Sequence, residues 1–132
     1  MASLDTNVLV RHLVEDDERQ SGLARKLIKA ALKAGETLYI PVTVMLELEW
    51  VLRTCFAFDK DKVAATLSSL LASAELSFES EAVVEIALAL YKKSAADFAD
   101  CVHIASAHVA GESPLWTFDR ATSKVEGSKL SA

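Results

Sequence analysis

Residues 97–119 read DFADCVHIASAHVAGESPLWTFD, and this stretch decides the fold. From Asp97 to Ala110 the chain is apolar, free of proline and glycine, and long enough for a helix, which Gly111 is placed to end. PLWTFD, residues 114–119, then has the β-branched and aromatic content of a buried strand and finishes on an acid, Asp119. A helix that runs directly into a strand is the repeating unit of an α/β chain, and the same alternation continues on both sides of it.

Moving toward the amino terminus, Ser80 and Glu81 open a helix to about Lys93, whose terminal lysines suit the negative end of its dipole. LSF, residues 76–78, is a brief strand candidate. Asp59 is placed to cap a helix through about Ala74, and Thr43 to cap another through VMLELEWVLRTCF. TLYIPV, residues 37–42, is rich in strand formers. From Ser21 to Ala34 the stripe Leu23, Leu27, Ile28, Ala31 and Leu32 predicts an amphipathic helix ended by Gly35, and EDDERQ before it reads as a polar turn. The opening, SLDTNVLVRHL, predicts a short buried strand over residues 2–5 and a helix from about Asn7. Strands separated by helices pair in parallel through right-handed crossovers, which makes the expected architecture a three-layer α/β/α sandwich with a mostly parallel central sheet. With 132 residues, residues 1–132 form one domain.

Composition narrows the class further. Apolar residues make up 52% of the chain and only 2 prolines and 4 glycines interrupt it, which excludes disorder and collagen-like repeats. No apolar run approaches the roughly 20 residues needed to cross a bilayer, and no signal segment opens the chain. Cys55 and Cys101 fall within apolar helical patterns and are expected to be free core thiols, which with the missing export signal points to the cytoplasm. The formal charge of −5 argues against a protein that grips nucleic acid by broad attraction. Basic residues do cluster locally: Arg25, Lys26, Lys29 and Lys33 at helical spacing, and Arg120, Lys124 and Lys129 near the end.

The acids carry the chemistry. Asp5 sits among apolar residues at the end of the first strand, where a charge needs a partner, a helix end to cap, or a metal. Asp5 and Asp119 each end a strand, and in an open parallel sheet ligand sites form at the carboxyl ends, so both are expected on one edge. Asp97 and Asp100 lie three apart in the first turn of one helix and can share a face, with Asp97 equally readable as a cap. Glu47 and Glu49 lie two apart and cannot face the same way. Glu47, flanked by Met45, Leu46 and Leu48, is expected to need compensation.

Acids converging from separate elements repel one another, and a divalent cation removes that conflict. Oxygen-only ligation suits Mg²⁺ or Mn²⁺. Zinc is poorly supported, because His103 and His108 are five apart and the two cysteines lie on different helices. There is no glycine-rich phosphate loop and no GxSxG elbow. Carboxylate-bound cations commonly serve phosphoryl chemistry, so phosphodiester hydrolysis is the expected reaction. Thr6, Asn7 and Thr117 stand beside the acids as neutral hydrogen-bonding groups, although capping and strand packing also explain Asn7 and Thr117.

The blocks LDTNVLVRHL, PVTVMLELEWVL, ADFADCVHIASA and PLWTFDR together resemble the PIN-domain nucleases, in particular the VapC-like toxins of bacterial type II toxin–antitoxin modules. Each block is weak alone, but the four occur in the family's order across nearly the whole chain. The resemblance implies a Mg²⁺- or Mn²⁺-dependent endoribonuclease with Asp5, Glu47, Asp100 and Asp119 as its acidic centre. It implies Asp97 as an auxiliary acid and Asp5 and Asp100 as the metal ligands. It also implies an RNA substrate, a homodimer, and a VapB-like antitoxin that silences the pocket. Two other readings stand beside it: a catalytically idle PIN-like interaction module, and a small-molecule phosphatase with an aspartyl nucleophile. The phosphatase reading is weakened because LDTN has no second Asp two residues on.

Overall fold

The computed structural model describes residues 2–131. In chain order the elements are β1 (Ala2–Ser3), α1 (Thr6–Leu13), α2 (Glu18–Lys33), β2 (Leu38–Ile40), α3 (Val42–Cys55) and α4 (Lys60–Leu71). They continue with β3 (Leu76–Phe78), α5 (Glu81–Lys93), α6 (Phe98–Val109), β4 (Leu115–Thr117), α7 (Arg120–Ser123) and β5 (Ser128–Leu130). The chain is α/β, with parallel strands set between helices, as the alternation predicts.

The strands form two ladders. β1, β2 and β3 pair in parallel in that order, with Ser3 opposite Tyr39 and Ile40 opposite Phe78. β4 pairs in parallel with β5, Trp116 opposite Lys129. Asp5 and Asp119 therefore follow strands of two separately hydrogen-bonded ladders, and the single shared edge expected for them is not formed by backbone pairing among the described residues. β5 and the short α7 occupy the tail after Asp119, where the sequence shows no clear pattern.

Local signals explain most boundaries. Asp5, Asp17 and Asp59 each accept a backbone N–H at a helix start, from Val8, Gln20 and Lys62 respectively. Asp17 moves the start of α2 ahead of Ser21, into the segment expected to be a turn. Thr43 is not the cap of α3: the helix starts after Pro41, and the Val42 N–H donates to Glu79 Oε1 at 2.9 Å. Ser80 precedes α5 in a left-handed conformation and makes no side-chain cap. Gly111, at φ +73°, ends α6 as expected. At Gly127, a Cβ would lie 2.9 Å from Ile104 Cγ2, so the chain can pass α6 closely only without a side chain.

The core is continuous. Ile40, Met45, Leu48, Leu52, Val63, Leu67, Val84, Phe98 and Ile104 are fully or almost fully buried, and α5 lies along α6. Other apolar positions depart from expectation. α2 buries Ser21, Ala24, Ile28 and Ala31 against its neighbours and leaves Leu23, Leu27 and Leu32 at the surface. β1 is exposed apart from the following Leu4, and β4 is half open, with Trp116 and Phe118 in solvent. Cys101 is buried, but Cys55 is exposed at the end of α3. Periodicity identifies which residues share a face; whether another element covers that face is decided by packing.

Candidate active site

Asp5 is held where the chain turns from β1 into α1. Leu4 continues the ladder, its N–H donating to the Tyr39 carbonyl at 2.9 Å, and Asp5 Oδ1 then accepts the Val8 N–H at 3.2 Å. The carboxylate is exposed and serves as a cap. With Asn7, Arg11 and Gln20 it lines a groove of about 290 Å³ whose apolar side is formed by Val8, Leu23, Ala24 and Leu27. Thr6, next in sequence and buried, donates its hydroxyl to Glu47 Oε1 on α3. That hydrogen bond ties the first acid's turn to the second acid.

Glu47 and Glu49 do face different ways, but the buried one is not the one expected. Glu47 is exposed apart from its contact with Thr6. Glu49 is 4% exposed and accepts from Arg53 Nε at 2.8 Å and from the Tyr91 hydroxyl at 3.2 Å. The need for compensation that the apolar surroundings of α3 imposed on Glu47 is thus met at Glu49, because Glu49 lies on the side that packs toward α5. Burial, together with the negative charge of Glu49, pushes the Tyr91 hydroxyl up to about 12. The hydrogen bond to Glu49 holds the Arg53 guanidinium above its usual range, with Asp97 among the charges that add to this.

The remaining acids meet at the start of α6. Asp100, half-buried in the first turn, accepts the hydroxyl of Thr122 at Oδ2, 3.1 Å away. Thr122 is 1% exposed and sits on α7, the helix that Asp119 caps through Ala121 N–H at 2.9 Å. Thr117 accepts the Asp119 N–H at 3.0 Å, so Asp119 is fixed from both sides of its turn. Asp97 precedes α6 but makes no side-chain cap, which leaves the capping explanation for it without support. Burial raises the pKa of the neighbouring Cys101 thiol, as expected for an inert core cysteine. His103 is on the exposed side of α6.

The acids accordingly form two groups, Asp5 with Glu47 and Asp100 with Asp119, carried by helices that pack α1 on α3 and α3 on α6. Thr122 was absent from the expected site: its partner is 22 residues away, and the only local sign is its place three residues beyond Asp119. Full convergence of the acids is not observed. Among the described residues no three His, Cys, Asp or Glu side chains lie together closely enough to hold an ion. A hydrated Mg²⁺ is less demanding, since it is bound through one or two carboxylates, retained waters and substrate phosphates. The donor set suits such an ion: it consists of oxygens, and Glu47 and Asp100 are each steadied by a hydroxyl through one carboxylate oxygen.

The PIN domain profile matches residues 2–128. The chain belongs to the PIN-domain family. It is also similar to the VapC ribonuclease of Aquifex aeolicus (strain VF5), with 25% identity over 125 residues, covering 95% of this chain and 92% of that protein. The matched PIN domain runs from β1 to the start of β5 and so includes Asp5, Glu47, Asp100 and Asp119. No helix among the described residues is long and apolar enough to cross a membrane.

Proposed function

We propose that this PIN domain is a Mg²⁺- or Mn²⁺-dependent endoribonuclease that hydrolyses RNA phosphodiester bonds, and that it is the toxin of a type II toxin–antitoxin pair. The observation that carries the reading is the pair of hydroxyl-to-carboxylate hydrogen bonds, Thr6 to Glu47 and Thr122 to Asp100, within a chain that matches the PIN domain along nearly its whole length. The similarity to a VapC ribonuclease supports the substrate class.

Asp5 and Asp100 would hold the cation. When bound, it would polarise the scissile phosphate and favour ionisation of the attacking water. Glu47, steadied by Thr6, and Asp119, steadied by Ala121, accept hydrogen bonds from water and orient it toward the phosphorus. Thr117 keeps the Asp119 turn in place, Asn7 offers an amide beside Asp5, and Asp97 adds negative charge at the rim. In this reading the protein acts in the cytoplasm as a homodimer and is silenced by a VapB-like antitoxin. A basic antitoxin residue that pairs with these carboxylates would displace the cation.

The alternative outcome is a PIN-like module that binds partners without catalysis. The test is RNA cleavage with and without Mg²⁺ or Mn²⁺, alongside calorimetric metal titration, using wild-type, Asp5→Asn and Asp100→Asn proteins. We expect metal-dependent cleavage by the wild type only. Equal cleavage by both folded variants would remove the mechanism, and wild-type protein that neither binds metal nor cleaves would establish the idle module.

A further inference from the structure

PLWTFD has the composition of a buried strand, yet Trp116 is 62% exposed and Phe118 is 84% exposed. Large aromatic side chains in water forgo the favourable burial that drives folding, so two of them close together on one segment mark a contact surface. Three further features say what that surface suits. The residue after Phe118 is Asp119, an acid of the proposed centre. Trp116 pairs in register with Lys129 on β5, and the Lys129 ammonium lies 5.8 Å from the centre of the Trp116 ring. Arg120, the first residue of α7, and Lys124, which caps its end, are both exposed, so cations follow here although the whole chain carries a charge of −5.

We propose that Trp116 and Phe118 are a stacking platform for two bases of single-stranded RNA, with Lys129 and Arg120 meeting the flanking phosphates; this rests on the ribonuclease reading above. Single-stranded RNA is recognised by aromatic faces set within a positively charged track, whereas duplex RNA keeps its bases stacked on one another and cannot use such a surface. Trp116 lies on β4 and Phe118 on the bend that follows it, two residues on, so both exposed rings border the turn that carries Asp119 and each can take the face of one unstacked base. Thr117, between the two aromatics, holds the Asp119 N–H. The platform and the acid are therefore fixed by the same few residues, and RNA seated on the rings has its backbone delivered to the acidic centre.

The test uses full-length Asp100→Asn protein and a short fluorescein-labelled oligouridylate, with affinity read by anisotropy. Trp116→Ala and Phe118→Ala should each weaken binding by about 5- to 100-fold. In a Trp50→Phe background, which leaves Trp116 as the sole tryptophan, the oligouridylate should quench tryptophan emission and an RNA duplex should not. Unchanged affinity in both alanine variants, while the parent still binds, would overturn the platform and leave the ribonuclease reading in place. Alanine variants that keep RNA affinity but lose a dimer by light scattering would also overturn it, and would assign the aromatics to an interface between copies of the chain. Wild-type protein that neither binds nor cleaves RNA would instead refute the ribonuclease reading on which the platform depends.

Discussion

Two glutamates separated by one residue on α3 live under opposite conditions. On the side facing α1, Glu47 is exposed and receives a single neutral hydroxyl, from Thr6. On the side facing α5, Glu49 is buried and accepts at Oε2 from both a guanidinium and a phenol, those of Arg53 and Tyr91. A buried carboxylate needs a close cation and hydrogen-bond donors, and a carboxylate so paired and shut away from water is poorly placed to meet a ligand. A carboxylate held at the surface by one hydroxyl keeps its charge, its solvent access and a fixed orientation, which suits it to water, phosphate or a hard cation. On the proposed reading the α5 side of α3 serves stability and the α1 side serves chemistry.

The sharpest way to break this comparison is to neutralise each glutamate separately. Glu47→Gln should lower RNA cleavage by about 10²- to 10⁴-fold, the range for a positioned acid–base group, with the urea midpoint unchanged. Glu49→Gln should leave cleavage within a few-fold of wild type. Glu49→Ala should lower the unfolding free energy by about 1–3 kcal/mol, because the buried Tyr91 hydroxyl loses its acceptor. If Glu49→Gln instead costs as much activity as Glu47→Gln while the protein stays folded, the division of labour is wrong.

A smaller effect is expected at the hydroxyls. Thr6 and Thr122 donate to Glu47 and Asp100, so on the proposed reading they act by orienting those acids. Replacing either by valine, which keeps the shape and removes the donor, should reduce cleavage by about 10- to 100-fold, and serine should restore most of it. The contrast with Glu49 sharpens if the valine variants lose activity out of proportion to their change in stability, measured by urea unfolding on the same preparations.

The sequence legibility of these features follows from how local each one is. The α6 to β4 unit, the stop at Gly111 and the capping by Asp59 depend on neighbours a few residues away, and residue type and spacing reveal them. The position of Asp5 and Asp119 just past strands was legible for the same reason. What was not legible depends on which surfaces meet. Thr122 gains its role only because α7 folds back on α6, and Glu49 rather than Glu47 is buried only because of which side of α3 packs toward α5. The leucines of α2 and the aromatics of β4 match buried patterns in composition but stay exposed, because no described element covers them. The division of the strands into two ladders was equally invisible, since it depends on pairing between segments and not on the content of either.

The subtlest expected effect is a pH dependence of stability on the Glu49 side. Tyr91 is buried, packs edge-on against Phe98 with ring centres 5.4 Å apart, and carries the Lys60 ammonium 4.8 Å above its ring. Burial first, and then the charge of Glu49, raise its hydroxyl from the ordinary 10.0 to about 12. The folded state therefore favours the protonated phenol more than the unfolded state does. The stability linked to this group is fully present below pH 10 and is lost as pH rises from 10 toward 12, because the unfolded chain releases this proton first. Lysines also lose charge in that range, so the informative quantity is the difference between wild type and Tyr91→Phe in urea unfolding at each pH. That difference should be constant up to about pH 10 and then shift in favour of Tyr91→Phe, whose ring cannot ionise. A difference that stays flat to pH 12 would mean that the phenol is not held protonated against Glu49, and the buried side of α3 would then depend on Arg53 alone.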